Sequence, residues 1–297
     1  MYIINFIRGF LMATADSVPG VSGGTIAFVL GFYDKFIGSI NDLISGSKEE
    51  RIEAITFLAK IGVGWIVGLV LSVLFIASIF EEHIYSISSV FLGLIIVAIP
   101  LIIREEKVTL SSKKSNIIFA FIGLLIVFLI TYFNPLTNGG GQSTSIDSLN
   151  LGIILLVFFA GMIAISAMVL PGISGSTILL ILGLYAQIIN AVKEIIQFNM
   201  SYVPIIFIFG LGILTGAAVT IKLVKKALTN YRSATIYTII GLMIGSLYAV
   251  VMGPASLEIP KDPMTISSFN ILFFILGGGL IIGLEQLKNY FQSLGNE

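Results

Sequence analysis

Pro19-Gly20-Val21-Ser22-Gly23-Gly24-Thr25 and Pro171-Gly172-Ile173-Ser174-Gly175-Ser176-Thr177 decide how this chain folds. Each sets helix breakers and small hydroxyls inside an apolar segment. The second lies in a run from Ser148 to Val192 without one charged residue. Proline fixes φ and removes a donor, and glycine loosens the backbone, so a helix is interrupted at each motif. At membrane depth such a break is tolerated only where protein buries it or a wet cavity adjoins it. The helix that restarts presents free N–H groups with partial positive charge, which suit an anion.

The chain around these motifs is a membrane protein by composition. Of its 297 residues 57% are hydrophobic and only 11% charged, with a mean hydropathy of +1.05. Soluble domains carry about 25% charged residues. Net charge is zero and no basic run is long enough to suggest a nucleic acid partner. With no cysteine there is no disulfide, iron–sulfur cluster or thiolate chemistry to expect. The single histidine, His83, falls in an expected short loop, so neither a metal site nor a cofactor is implied. Ala13-Thr14-Ala15 imitates a signal-peptidase site. No Lys or Arg precedes the apolar run, Arg8 interrupts it, and a related stretch recurs at 160–170, so the N-terminus is expected in the mature fold.

The two halves echo each other. An offset of 152 pairs Gly9 with Gly161, Ala15 with Ala167, and the Pro-Gly-x-Ser-Gly-x-Thr motifs with one another. It continues from Leu30, Gly31, Tyr33 and Ile37 onto Leu182, Gly183, Tyr185 and Ile189. At 148, Gly62, Gly64, Gly68 and Gly93 meet Gly210, Gly212, Gly216 and Gly241; at 154, Phe119 and Gly123 meet Phe273 and Gly277. An ordered series of this length points to internal duplication.

The expected fold is therefore an all-α polytopic membrane protein of two inverted-topology repeats. Each repeat is a broken-helix, re-entrant hairpin followed by three transmembrane helices. The first occupies 1–133, with its hairpin at 3–45 and spans at 57–80, 84–103 and 117–133. An extracytoplasmic linker covers 134–149. The second occupies 150–290, with its hairpin at 150–197 and spans at 202–222, 233–252 and 269–287. Each unit crosses an odd number of times, so the second copy is inverted. Lys and Arg concentrate in 45–56, 104–116, 222–233 and the C-terminus, and this bias puts both termini in the cytoplasm. Inverted repeats meeting through discontinuous helices are a transporter signature.

The candidate anion site is built from Ser22, Gly23, Gly24 and Thr25 of the first motif and Ser174, Gly175, Ser176 and Thr177 of the second. Pro19, Gly20, Pro171 and Gly172 are the expected hinges. Ser and Thr also cap helices in the ordinary way, but two inverted copies favour a ligand. Asp16 is the sharpest single residue, because an ionised carboxylate inside a membrane is costly and usually functional. It is expected to carry a proton or orient a cation, with Arg8, Lys35 or Lys60 as structural partners to weigh against that role. Arg8 is its candidate partner in charge relay. Met168 occupies the matching place in the second half, so the halves are not chemically equivalent. Asp34, Lys35, Lys222 and Glu285 sit near expected cytoplasmic ends, where snorkelling suffices. Trp65 is expected to face lipid or pack.

The stretch from Ala15 to Thr25 with Leu30-Gly31-Phe32-Tyr33-Asp34, and that from Ala164 to Thr177, resemble the two signatures of the prokaryotic polyprenyl-phosphate (undecaprenyl-phosphate) translocases called PopT. The resemblance covers nearly the whole chain. It implies a flippase returning the carrier lipid of cell-wall polymer synthesis from the outer to the inner leaflet of the bacterial cytoplasmic membrane. Polyprenyl phosphate, membrane lipids and possible protons are then its partners. A phosphatase acting on the pyrophosphate lipid also uses inverted hairpins, but its Pro-Gly-x-Ser-Arg-Ser-Gly motif needs an Arg where Gly175 stands. No His directly follows the first motif and no Glu pair precedes it, so phosphoryl transfer lacks its cation and its acid and base. An anion channel or small-anion transporter remains the stronger alternative, since helix N-termini also hold chloride or phosphate.

Overall fold

The computed structural model describes residues 2–16, 22–71, 77–133, 150–256 and 261–294, and among them the protein is helical throughout, without strands. Pro19, Gly20 and the expected linker 134–149 lie outside the described residues. The first half runs α1 (Tyr2–Asp16), α2 (Gly23–Val29), α3 (Tyr33–Ser45), α4 (Lys48–Leu71), α5 (Ala77–Glu105), α6 (Lys107–Ser112) and α7 (Ile117–Tyr132). The second runs α8 (Leu151–Val169), α9 (Gly175–Ile181), α10 (Tyr185–Ile196), α11 (Val203–Asn230), α12 (Arg232–Met252) and α13 (Ile271–Leu294).

Among the described residues six helical segments are long and apolar enough to cross a membrane: 48–71, 83–105, 114–132, 151–169, 200–230 and 232–255. The protein is a multi-pass membrane protein. The 19 residues of α8 span about 28 Å at 1.5 Å each, so this helix is by itself long enough to cross. The 15 residues of α1 reach only about 22 Å. His83 is not in a loop; it forms a kink within α5, at φ −113° and ψ 25°.

Both short helices end in the same way. Gly31 (φ 67°) and Gly183 (φ 66°) take the left-handed conformation that favours glycine. Beyond them the N–H groups of Phe32 and Leu184 bond back to the Ala27 and Leu179 carbonyls, at 3.0 and 2.9 Å. The reversal satisfies the last carbonyls of α2 and α9 and launches α3 and α10.

Close helix crossings hold the bundle. A Cβ on Gly9 would collide with the Ile61 carbonyl and one on Gly64 with that of Phe6, so α1 and α4 touch backbone to backbone. Gly161 against Phe209 and Gly212 against Phe158 make the same crossing between α8 and α11. Elsewhere the halves exchange partners. Gly93 of α5 and Gly277 of α13 each lie against the other helix's backbone, as do Gly241 of α12 and Gly123 of α7. Lipid offers no hydrophobic drive between helices, so small residues that admit close packing do this work. The buried core mixes both halves, including Tyr33, Ile37, Ile95, Ile236 and Met243. Val63, Ile66, Phe121, Leu125, Leu214 and Leu223 face outward, as a lipid-exposed belt requires.

Ion pairs gather segments expected to share the cytoplasmic face. Lys35 pairs with Glu53 at 3.3 Å, Lys225 with Asp42 at 2.7 Å, and Arg232 with Asp34 at 2.7 Å and with Glu106. Thus α3 is tied to α4, α11 and α12, and Asp34 and Lys35 do more than snorkel. The Lys225 hydrogen bond holds the Asp42 carboxyl below its ordinary range. Burial pushes Glu106 up, but the guanidinium of Arg232 outweighs it and the net direction is down.

Candidate functional site

Asp16 is the last residue of α1, and its carboxylate turns onto the start of α2. Oδ1 accepts the Gly23 N–H at 2.7 Å, and the indole Nε1 of Trp65 on α4 reaches Oδ2 at 3.5 Å. A Cβ on Gly23 would lie 2.8 Å from Oδ2, so the approach needs glycine. The three cations weighed as partners are engaged elsewhere. Arg8 donates to Asn5 at 3.1 Å and stacks 4.6 Å from the Phe32 ring centre. Lys35 pairs with Glu53, and Lys60 sits 4.2 Å from the centre of the Tyr2 ring. Asp16 therefore stands where an anion would bind the restarting helix.

Ser22, Gly23, Gly24 and Thr25 are all buried, with Ser22 and Thr25 at 0% exposure. The Ser22 hydroxyl accepts the Thr25 N–H at 3.2 Å and lies 3.0 Å from the Thr25 hydroxyl. Thr25 Oγ1 accepts the N–H of Gly172 at 2.7 Å. Ser22 also donates to the Leu170 carbonyl at 3.4 Å, and the buried Tyr33 hydroxyl donates to Val169 at 3.1 Å. A Cβ on Gly24 would lie 2.7 Å from that same Val169 oxygen. The first restart thus receives the stretch 169–172, where α8 ends and the chain unwinds, and satisfies backbone groups left orphaned there. The two motifs are in direct contact through residues 147 positions apart.

The second restart is different. Gly172 takes φ +91° and presses on the Leu242 carbonyl, where an added Cβ would sit 2.5 Å away. Ser174 opens α9 without a side-chain cap; its hydroxyl bonds instead to that of Ser176 at 2.7 Å. Gly175 packs on α8, where a Cβ placed on it would lie 2.8 Å from the Ala164 carbonyl oxygen and 3.6 Å from the Cβ of Met168, the counterpart of Asp16. Gly175, Ser176 and Thr177 are half-buried, unlike their counterparts. Among the described residues no group of three or more side chains could hold a metal ion.

Two site residues are not evident from the sequence. Trp65, expected to face lipid or pack, is a polar partner of Asp16; its only hint is its place beside Gly64 at the α1–α4 crossing. Tyr33 is visible as a repeat position paired with Tyr185 and as part of the first signature, but without a role. Its bond to Val169 depends on a contact between halves that no local pattern announces.

Interrupted helices meeting inside a bundle of membrane spans define a transporter-like architecture. The chain belongs to the undecaprenyl phosphate translocase-like family, whose profile matches residues 12–268. It is 37% identical over 251 residues to the polyprenyl-phosphate transporter of Staphylococcus aureus (strain NCTC 8325 / PS 47), covering 84% of this chain and 86% of that one. It is 32% identical over 256 residues to the polyprenyl-phosphate transporter of Vibrio cholerae serotype O1 (strain ATCC 39315 / El Tor Inaba N16961), covering 83% and 76%. Both relatives are transporters rather than enzymes. No solved structure matches the chain.

Proposed function

We propose that the protein carries polyprenyl phosphate across the bacterial cytoplasmic membrane, from the outer to the inner leaflet, so that the carrier lipid of cell-wall polymer synthesis is used again. The relatives' transport of polyprenyl phosphate supports the substrate. A phosphate cannot cross hydrocarbon unaided, because burying an unpaired charge is very costly. Two repeats of inverted topology, with termini in the cytoplasm, would bring their helix breaks together near mid-membrane and offer the head group polar partners there. The prenyl tail would stay in lipid.

The observation that carries this reading is the 2.7 Å bond from Gly172 to Thr25, which joins the two breaks while Ser176 and Thr177 of the second stay half-buried and Ser174 caps nothing. Ser174, Gly175, Ser176 and Thr177 then form the phosphate contact. Ser22, Gly23, Gly24 and Thr25 complete it from the other side by fixing the shape of the second break. Inward movement of a negative charge opposes an inside-negative potential by about 2.3 kcal/mol per charge per 100 mV. Protonation of Asp16, beside the break, would offset that cost. The test is uptake of labelled undecaprenyl phosphate into proteoliposomes of pure protein under imposed potential and pH gradients. Uptake no faster than in empty liposomes would refute the function; uptake indifferent to both gradients would refute the coupling.

A further inference from the structure

Arg8 is a second unexplained charge, away from the breaks. It stands in the first half of α1 between apolar turns, and among the described residues no carboxylate lies within ion-pairing distance of it. A guanidinium carries five N–H donors. Among the described residues its hydrogen bond goes to Asn5, and one face of the group stacks on Phe32. The group also lines a cavity between α1, the α2–α3 turn, α5 and α13. Its walls are aliphatic: Ile4, Leu30, Leu101, Ile102 and Ile281. Two carboxylates, Glu105 and Glu285, line it as well. Glu105 is the exposed last residue of α5, and Glu285 follows the apolar stretch 271–283 of α13, so both mark its watery end.

One cation in an aliphatic cleft fits an anion that carries a hydrocarbon chain. An inorganic anion would find no polar partner along the aliphatic walls, which disfavours it. An amphiphile gains apolar burial along those walls and brings its charge to the guanidinium. Glu105 adjoins Glu106, whose partner is Arg232, so the cavity lies at the end of the bundle where the ion pairs gather.

We propose that this cavity is a separate station for an aliphatic monophosphate, with Arg8 as its anion contact, from which the lipid enters or leaves at the ion-paired face. It rests on the reading of the protein as a carrier of such lipids, and is independent of which groups hold the phosphate at the breaks.

The test uses the full chain in nanodiscs with a radiolabelled polyprenyl phosphate bearing a diazirine in its first isoprene unit, the attached residues being mapped by mass spectrometry. Label is expected on Leu101, Ile102 or Ile281. Arg8→Gln should lower it at least ten-fold and Arg8→Lys by less, with melting temperatures matched to wild type. Farnesyl phosphate should compete, whereas farnesol and inorganic phosphate at equal concentration should not. Label unchanged in Arg8→Gln, absent from these three residues, or displaced equally by farnesol or by inorganic phosphate overturns the proposal. The double variant Ser174→Ala, Ser176→Ala separates the two sites. It should lose transport and keep the label here; normal transport in it would sink the contact at the breaks and leave this one standing.

Discussion

The two helix breaks are near copies in sequence, and the structure uses them in opposite ways. At the first, Asp16 takes the Gly23 N–H, Ser22 caps Thr25, and the restart is sealed from outside. At the second, Met168 replaces the carboxylate, Ser174 caps nothing, and the restart is half-buried. The proposed division of labour follows from an acid at one copy and a thioether at the other. The carboxylate occupies the anion position of its own helix, so the first break is self-satisfied and serves as a support. The second has polar groups to offer and depends on the first for its shape.

Substitutions at matched positions can break that contrast. Gly172→Val should be the most damaging, costing roughly 3 kcal/mol or more from left-handed strain plus collision with the Leu242 carbonyl. Thermal unfolding in detergent reads it, and a wild-type melting curve would contradict the geometry. Thr25→Val leaves the Gly172 N–H buried without an acceptor and should cost about 2 kcal/mol. Its signature is a lowered melting temperature that Thr25→Ser largely restores.

Ser174→Ala combined with Ser176→Ala should slow transport roughly ten-fold, or about 1.4 kcal/mol in the barrier, with stability little changed. Ser22→Ala should do the reverse, losing about 1 kcal/mol of stability with its cap while transport per folded molecule stays near normal. Equal transport defects in the two would show that the breaks share the ligand after all.

The smallest effect belongs to Glu106→Gln, under about 1 kcal/mol because the Arg232 pair is partly exposed. Its sign with pH is fixed. A carboxyl whose folded pKa is depressed contributes stability that is full above its unfolded value, about 4, and fades as the pH falls through the folded one. The melting difference between wild type and variant should therefore be present at neutral pH and vanish in strong acid.

Much of the fold is legible in the order of the residues. Glycines recurring in fixed order, Gly64 with Gly212 and Gly93 with Gly241, mark the helix crossings, because only a residue without a Cβ lets backbones touch in lipid. Both motifs are legible because proline and glycine act on the backbone locally. The partners of Asp16 are not. Arg8, Lys35 and Lys60 are reasonable candidates by charge, yet the carboxylate finds an amide seven residues on and an indole 49 residues away.

Sequence alone determined that this is a polytopic helical membrane protein with two interrupted helices, because hydropathy and chain-breaking residues act over one turn or one span. Only the tertiary structure decided that the breaks touch each other, that Tyr33 and Thr25 serve the opposite half, and that α7 and α13 change partners. Those outcomes depend on which orphaned backbone group meets which hydroxyl across the bundle, and no local pattern encodes that meeting.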